Sequence, residues 1–348
     1  PIIFTNADDG DDSVIAAAAH RARAVGQGDT ASDPALAHRV NVVASLYSIV
    51  GRCHDLLENK ARATVCLTMA LRIDPACTEA AEYLVDNALI GAAERRVLFD
   101  TVIDLRGREW LELYYRFVLL DEVSAATEQD LLGTGGTAAG HGASEHPSNG
   151  VDMRLSSIAL VRRAERLHDA SYPAEAYRLA RQAYIMDPFD TKGLLVYIAA
   201  MVELQLTTEL FYLGHELSKT YPKAATSWYA VGCYYWICRK LEHAQKYLQK
   251  AIKLNKRLVH AWIALGHVLA AQEESEHAIS AFRTASRLLP GDHRPLMFMA
   301  RELVRTNYLS LALHLLFGAL RIRPQDPAVL NELGVVYLKQ DRLDDAVE

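Results

Sequence analysis

Trp228-Tyr-Ala-Val-Gly232 and Trp262-Ile-Ala-Leu-Gly266 are two versions of one short pattern, in which a tryptophan is followed four residues later by a glycine. The two tryptophans lie 34 residues apart, and small and apolar residues recur in the same register on both sides of them. A fixed period of this length is typical of repeat proteins built from helix–turn–helix units. The pattern therefore predicts an array of paired helices.

Further copies of the pattern follow upstream and downstream in the same register. Small residues are expected where the two helices of a unit approach closely, and prolines are expected where a second helix ends, because proline lacks an amide proton. These structural positions are Gly51, Trp228, Gly232, Ala244, Trp262, Gly266, Ala278, Pro290, Pro324 and Gly334. The units resemble tetratricopeptide repeats. The predicted fold class is all-α, a tetratricopeptide-repeat superhelix in which antiparallel helix pairs stack into an α-solenoid.

The repeat register divides the chain into four segments. Residues 1–34 are expected to form a partly disordered N-terminal extension, and residues 35–132 an N-terminal repeat segment with a degenerate helix pair. Residues 133–150 are rich in glycine and predict a flexible insertion. Residues 151–348 are the main repeat array, which is truncated in its last repeat. We therefore expect the chain to be a fragment of a longer protein.

The composition favours a folded helical protein. Apolar residues make up 51% of the chain, whereas its 348 residues include only 19 glycines and 11 prolines. The net charge of −6, without a long basic block, argues against a nucleic-acid partner. No apolar run approaches the roughly 18–20 residues that a membrane span needs. Five cysteines without framework spacing favour a reducing, intracellular compartment.

The loop at 133–150 carries two weak signals for ligand binding. Its glycines superficially resemble a phosphate-binding loop, but no strand precedes them and no Gly-Lys-Ser/Thr follows. His141, Glu145 and His146 lie in the same loop, but a metal site would need further ligands. A polar loop is the favoured interpretation of both signals.

Cysteine and histidine residues elsewhere do not form a recognisable catalytic group. Cys233 and Cys238 are five residues apart on one predicted helix, which turns them about 140° away from each other. His243 and His277 occupy equivalent repeat positions, which favours structural roles. The sequence therefore predicts no catalytic residue, no metal and no cofactor, and the protein is expected not to be an enzyme.

The first helices of such arrays line a concave groove, which is the usual binding surface. Repeat phase predicts an outward-facing, partner-binding set that is rich in aromatic, methionine and arginine side chains, as interface anchors often are. The set is Tyr229, Cys233, Trp236, Ile263, His267, Met297, Arg301, Arg305, Asn331 and Val335. The alternative is that Tyr229 and Trp236 only pack between helices.

One kind of groove ligand is disfavoured. Repeats that hold a chaperone's C-terminal carboxylate usually place asparagine directly after the glycine of the first helix. Here that position holds Cys233, His267, Arg301 and Val335. An extended peptide or a helix of another subunit remains open as the ligand.

Several stretches of the sequence contain residues that the generic repeat pattern does not account for. They are Glu209-Leu-Phe-Tyr-Leu-Gly-His215, Ser227-Trp-Tyr-Ala-Val-Gly-Cys-Tyr-Tyr235, His260-Ala-Trp-Ile-Ala-Leu-Gly-His267 and Glu332-Leu-Gly-Val-Val336. They resemble the cell division cycle protein 16 family, which is subunit 6 of the anaphase-promoting complex. The resemblance covers roughly residues 45–348 and is strongest from residue 205 onward.

The resemblance implies a non-catalytic scaffold in a multi-subunit ubiquitin ligase that controls mitotic progression. It implies other subunits of that complex as partners, including a small groove-binding partner like cell division cycle protein 26. It also implies a homodimer formed through repeats largely missing from this chain, and a nuclear and cytoplasmic location.

A second function class stays open on the sequence alone. The chain could be a generic tetratricopeptide adaptor, or the repeat arm of an enzyme whose catalytic domain lies outside this fragment. More repeats after residue 348 would support the scaffold, whereas a catalytic domain there would contradict it.

Overall fold

The computed structural model describes residues 41–102, 109–119, 157–170, 172–324 and 326–342. These residues are helical apart from short turns and contain no strand. The chain divides into two compact units, residues 1–122 (unit 1) and residues 123–348 (unit 2). The predicted all-α fold class is confirmed. The predicted extension at 1–34 and the insertion at 133–150 lie outside the described residues.

Unit 1 begins with one clear helix pair, α1 (Val42–Leu56) and α2 (Lys60–Ile73). The Asn41 side chain caps α1 by accepting a hydrogen bond from the amide of Val43. The degenerate pair predicted from the sequence consists of α3 (Thr78–Asp86) and α4 (Ala92–Val97), and α4 continues into a π-helical turn at Leu98–Val102. The last described element of the unit is α5 (Glu109–Leu119).

Unit 2 is a succession of helices of 12 to 14 residues joined by short turns. Such helices are marginal in isolation, so they depend on packing against their neighbours. They are α6 (Ser157–Asp169), α7 (Pro173–Met186), α8 (Thr191–Glu203), α9 (Thr207–Thr220), α10 (Ala225–Ile237), α11 (Leu241–Leu254), α12 (Val259–Ala271), α13 (Ser275–Leu288), α14 (Arg294–Arg305), α15 (Leu309–Ile322) and α16 (Pro327–Lys339). Consecutive pairs from α6–α7 to α14–α15 form five repeats, and α16 opens the sixth.

From the second to the sixth repeat of unit 2, the turns that follow the first helix share one backbone feature. One residue of each turn has a positive φ, and none of these residues is glycine. They recur every 34 residues: Gln205 (57°), Arg239 (59°), Glu273 (66°), Asn307 (66°) and Asp341 (59°). An L-residue in this region costs about 1 kcal/mol. The packing of the paired helices outweighs that cost, which is why the turns carry no glycine signal in the sequence.

The two tryptophans of the quoted pattern make the same hydrogen bond. The indole Nε1 of Trp228 donates to the carbonyl oxygen of Pro222 at 2.8 Å, and that of Trp262 donates to the carbonyl oxygen of Lys256 at 2.9 Å. In both cases the acceptor lies six residues earlier, in the turn between repeats. Each tryptophan therefore ties the start of its helix to the turn that precedes it.

The small residues of the pattern lie where the helices of a pair approach each other. A Cβ added at Gly232 would lie 2.7 Å from Cγ of Leu248, and one added at Gly266 would lie 2.7 Å from Cδ1 and Cζ of Phe282. Ala244 and Ala278 on the facing helices are fully buried. Leu248 and Phe282 occupy the volume that the glycines leave free, so each pair is closely packed.

Candidate protein-binding groove

The predicted groove residues of unit 2 differ in exposure. Arg301, Arg305 and Asn331 are exposed, and Trp236, Ile263, His267 and Val335 are partly exposed. Tyr229, Cys233 and Met297 are buried, so their predicted outward-facing placement is wrong. These three side chains point between neighbouring helices, where they belong to the hydrophobic clusters of unit 2. Partner binding by the set stays a prediction.

The two exposed arginines of the set are held by carboxylates of this chain. Arg301 donates from Nε and Nη2 to Oε1 of Glu332, at 2.9 and 2.8 Å. Arg305 donates from Nη2 to Oε2 of Glu302 at 2.8 Å, within α14. Such partly exposed pairs contribute little to stability, but they fix the direction in which each guanidinium points.

His267 lies between two phenylalanine rings. Its ring centroid is 5.2 Å from that of Phe282 and 4.4 Å from that of Phe298, in edge-on arrangements. Burial, together with the positive charge of Arg301, lowers the pKa of His267 to about 4. The imidazole is therefore neutral at physiological pH and packs as an aromatic side chain.

A network of charged residues joins distant repeats of unit 2. Arg294, at the start of α14, donates from Nε to both carboxylate oxygens of Asp292, at 3.0 and 3.1 Å, and from Nη1 to Oδ1 of Asp169 at 3.2 Å. Oδ2 of Asp169 lies 3.9 Å from Nη1 of Arg323, the residue that follows α15. We call His168, Asp169, Asp292, Arg294 and Arg323 the Arg294 cluster.

His168 adds a positive charge to this cluster. Its Nε2 lies 3.2 Å from Oε1 of Glu203, and its Nδ1 lies 3.9 Å from Oδ1 of Asp169. Burial acts to lower the pKa of His168, but the two carboxylates outweigh it and raise the pKa to about 9. For Asp169, burial is outweighed by His168, Arg294 and Arg323, which lower its pKa. Both groups are therefore charged near neutral pH.

The charge of Arg294 acts on His260 and Tyr229, and Tyr229 in turn hydrogen-bonds with Cys233. Burial lowers the pKa of His260 to about 4, and the charge of Arg294 acts in the same direction. Burial raises the pKa of the Cys233 thiol to about 12, although a hydrogen bond with Tyr229 opposes the shift. It also raises the pKa of Tyr229 well above its ordinary value. The thiol is therefore protonated at neutral pH, which is not the state of an activated nucleophile.

Asp326 joins the fifth and sixth repeats. Its carboxylate caps α16 by accepting from the amide of Ala328 at 2.8 Å, and its Oδ2 lies 2.6 Å from Nε2 of His293. Both side chains are buried. The residue therefore combines a helix cap with a link between repeats.

Replacing Asp326 by alanine is expected to lower the free energy of unfolding by about 2–3 kcal/mol, because the cap and the partner of a buried imidazole are both lost. Asp190→Ala is the matched control. Asp190 caps α8 through the amides of Lys192 and Gly193, and its loss is expected to cost about 1 kcal/mol. Urea denaturation of both variants measures the difference. Equal costs would show that the contact with His293 contributes nothing.

No group of three or more histidine, cysteine, aspartate or glutamate side chains within the described residues could hold a metal ion. His141, Glu145 and His146 lie outside those residues. His243 and His277 are exposed on second helices. His243 stacks on Tyr235 at 5.3 Å between ring centroids, and His277 lies 3.6 Å from Glu274. No helix in the described ranges is long and apolar enough to cross a membrane.

Sequence reasoning missed the Arg294 cluster. Asp169 and Arg294 are 125 residues apart, and neither lies at a position that the repeat pattern marks. The contact depends on how far the array turns between the first and the fifth repeat of unit 2. One sequence without relatives contains no signal for a pair of this kind.

Comparison with known proteins agrees with the helical repeats. The family model described as tetratricopeptide repeat matches residues 225–257, which span α10 and α11. The chain is 32% identical to anaphase-promoting complex subunit 6 from Arabidopsis thaliana over 302 residues, which are 85% of this chain and 54% of that protein. It is 33% identical to the cell division cycle protein 16 homolog from Homo sapiens over 298 residues, which are 85% of this chain and 46% of that protein.

A solved structure extends the similarity to three dimensions. The crystal structure of the APC/C hetero-tetramer Cut9–Hcn1 contains a chain that matches this one with a TM-score of 0.72 and 27% sequence identity. The match covers 89% of this chain and 58% of that chain. This chain therefore spans about half the length of the curated relatives it matches. The resemblance predicted from the sequence strings is confirmed.

Proposed function

We propose that this tetratricopeptide-repeat chain, which is similar to subunit 6 of the anaphase-promoting complex over most of its length, acts as a non-catalytic scaffold in that multi-subunit ubiquitin ligase. The observation that carries the proposal is the similarity to a protein named as this subunit, which covers 85% of the chain. Through the ligase, the protein would contribute to the control of mitotic progression in the nucleus and cytoplasm.

The groove of unit 2 is the proposed binding surface for a small partner like cell division cycle protein 26. The similar crystal structure is that of a complex of Cut9 with Hcn1, so a relative with this fold assembles with a second protein. In this chain, Arg301 and Asn331 are exposed and Trp236 is partly exposed. These side chains are available for an extended or helical segment of a partner. A homodimer of the whole protein is part of the same proposal.

A generic adaptor and the repeat arm of an enzyme are the alternatives. Either protein would need only the repeat pattern, such as the match at residues 225–257. The similarity of this chain reaches well beyond that stretch, and the relative from Arabidopsis thaliana is named as a subunit of the anaphase-promoting complex. This favours the scaffold over both alternatives.

The test is to purify the tagged full-length protein gently from dividing cells and to identify by mass spectrometry what is recovered with it. We expect cullin- and RING-type subunits together with other repeat proteins. Recovery of none of them would contradict the scaffold, and recovery of an enzymatic activity on the same polypeptide would favour the repeat arm of an enzyme.

The same purification tests the groove. The double variant Arg301→Ala/Asn331→Ala removes two exposed groove side chains, and Arg283→Ala/His314→Ala removes two exposed side chains from second helices as a matched control. We expect the first variant to lose the small partner while the control keeps it. Equal recovery of the small partner with both variants would contradict the proposed surface and leave the scaffold proposal standing.

A further inference from the structure

The Arg294 cluster links repeats that are distant along the array. Asp169 is the last residue of α6, in the first repeat of unit 2, whereas Arg294 and Arg323 lie at the start of α14 and after the end of α15, in the fifth repeat. Three complete helix pairs lie between the two ends of this contact. A contact between the first and fifth repeats constrains how far the array turns over the intervening three.

On the fifth repeat, the Arg294 guanidinium is held in a position to bind a carboxylate. The Asp292 carboxylate is buried, and it holds the Arg294 guanidinium through Nε and Nη2. That pairing leaves Nη1 directed at Asp169. Because a guanidinium held in this way loses little further rotational freedom, it can pair with a carboxylate at low entropic cost. Arg323 approaches the other oxygen of the same carboxylate.

The contact is accessible to solvent. The Arg294 and Asp169 side chains keep 31% and 38% of their exposure, so water and salt can compete for them. Repeat arrays otherwise depend on contacts between adjacent units, and their curvature follows from small rotations at each interface. The pair of Asp169 and Arg294 spans four interfaces between adjacent repeats, so it can constrain the rotations at all four.

We propose that the bridge from Asp169 to Arg294 and Arg323 is a latch that holds the first and fifth repeats of unit 2 together and sets the width of the groove between them. Breaking it lets the repeats separate without unfolding them, because Asp169, Arg294 and Arg323 lie outside the hydrophobic clusters that hold adjacent repeats together. The latch is a property of this chain and does not depend on which partner the groove binds.

The distance between the first and fifth repeats tests the latch. Spin labels carried by noncanonical amino acids at the exposed positions Gln182 on α7 and His314 on α15 report it by pulsed electron resonance, without use of the native cysteines. In the full chain at low salt, Asp169→Asn is expected to shift the distance distribution to longer values. Raising the salt to about 1 M is expected to lengthen the distance in the wild type, because such salt screens pairs of this kind.

Glu242→Gln is the matched control, because it removes one exposed carboxylate from α11 in the third repeat. Its distribution is expected to overlap that of the wild type at both salt concentrations. Identical distributions for Asp169→Asn and the wild type would overturn the latch. If circular dichroism shows that the variant is unfolded, the salt series on the wild type decides: a distance that does not lengthen with salt overturns the proposal.

Discussion

Replacing Gly266 by alanine is expected to lower the free energy of unfolding of unit 2 by about 3 kcal/mol, with a lower melting temperature. The added Cβ would lie within 2.7 Å of the Phe282 ring, which is closer than real Cβ contacts. That ring is 1% exposed and packs against His267 and Phe298, so it has no free space to move into. The helices α12 and α13 must therefore separate, and larger side chains at this position are expected to disrupt the repeat.

Gly318→Ala is the matched control for this prediction. Gly318 also lies inside a helix of unit 2, but a Cβ added there would meet only Cδ1 of Leu296, at an ordinary 3.8 Å. Alanine is favoured over glycine in a helix interior by about 1 kcal/mol, so this variant is expected to be slightly more stable than the wild type. Thermal melting and urea denaturation measure both changes. An unchanged melt for Gly266→Ala would mean that the helix pair can adjust without cost.

Unit 2 is expected to lose stability steeply between about pH 6.5 and pH 4. His260 and His267 each have a pKa of about 4 in the folded protein, mainly because burial disfavours the charged imidazole. In the unfolded chain a histidine titrates near 6.5, so the unfolded state takes up protons first as the pH falls. The stability that the neutral imidazoles contribute is complete above about pH 6.5 and is lost as the pH falls to 4. Each contributes on the order of 3 kcal/mol.

Urea denaturation at a series of pH values between 7.5 and 4.5 measures this loss. His267→Gln removes one of the two titrating groups, so the dependence of its unfolding free energy on pH is expected to be weaker than that of the wild type. His277→Gln is the control, because the His277 side chain is 77% exposed on α13. Its pH dependence is expected to match the wild type. The same slope for all three proteins would contradict the assignment of the acid sensitivity to the partly buried His267.

The 34-residue repeat register could be predicted from the sequence, because the residue types at its marked positions are each required there for a local physical reason. A glycine or alanine is needed wherever two helices of a pair approach closely, as at Gly232 against Leu248. A proline that follows a second helix, as at Pro290 and Pro324, cannot continue that helix because it lacks an amide proton. The same logic did not predict the turns, because packing imposes a positive φ on residues such as Arg239 and Glu273 that have no preference for it.

The exposure of the groove residues could be predicted only in part. Helical phase separated the exposed Arg301 and Asn331 from the core, but it placed Tyr229 and Met297 on the outside, where they are not. The helical period predicts only the direction in which a side chain leaves its own helix. The neighbouring helix decides whether that direction leads to solvent, and its position depends on the packing of the whole pair.

The sequence by itself determined the all-α class, the 34-residue period and the family-like strings, because each is encoded by residues close together along the chain. The tertiary structure alone decided that Asp169 meets Arg294 and Arg323 and that His267 lies between Phe282 and Phe298. Small rotations between successive repeats add up along unit 2, and their sum brings together residues separated by 125 positions. No local pattern encodes that sum.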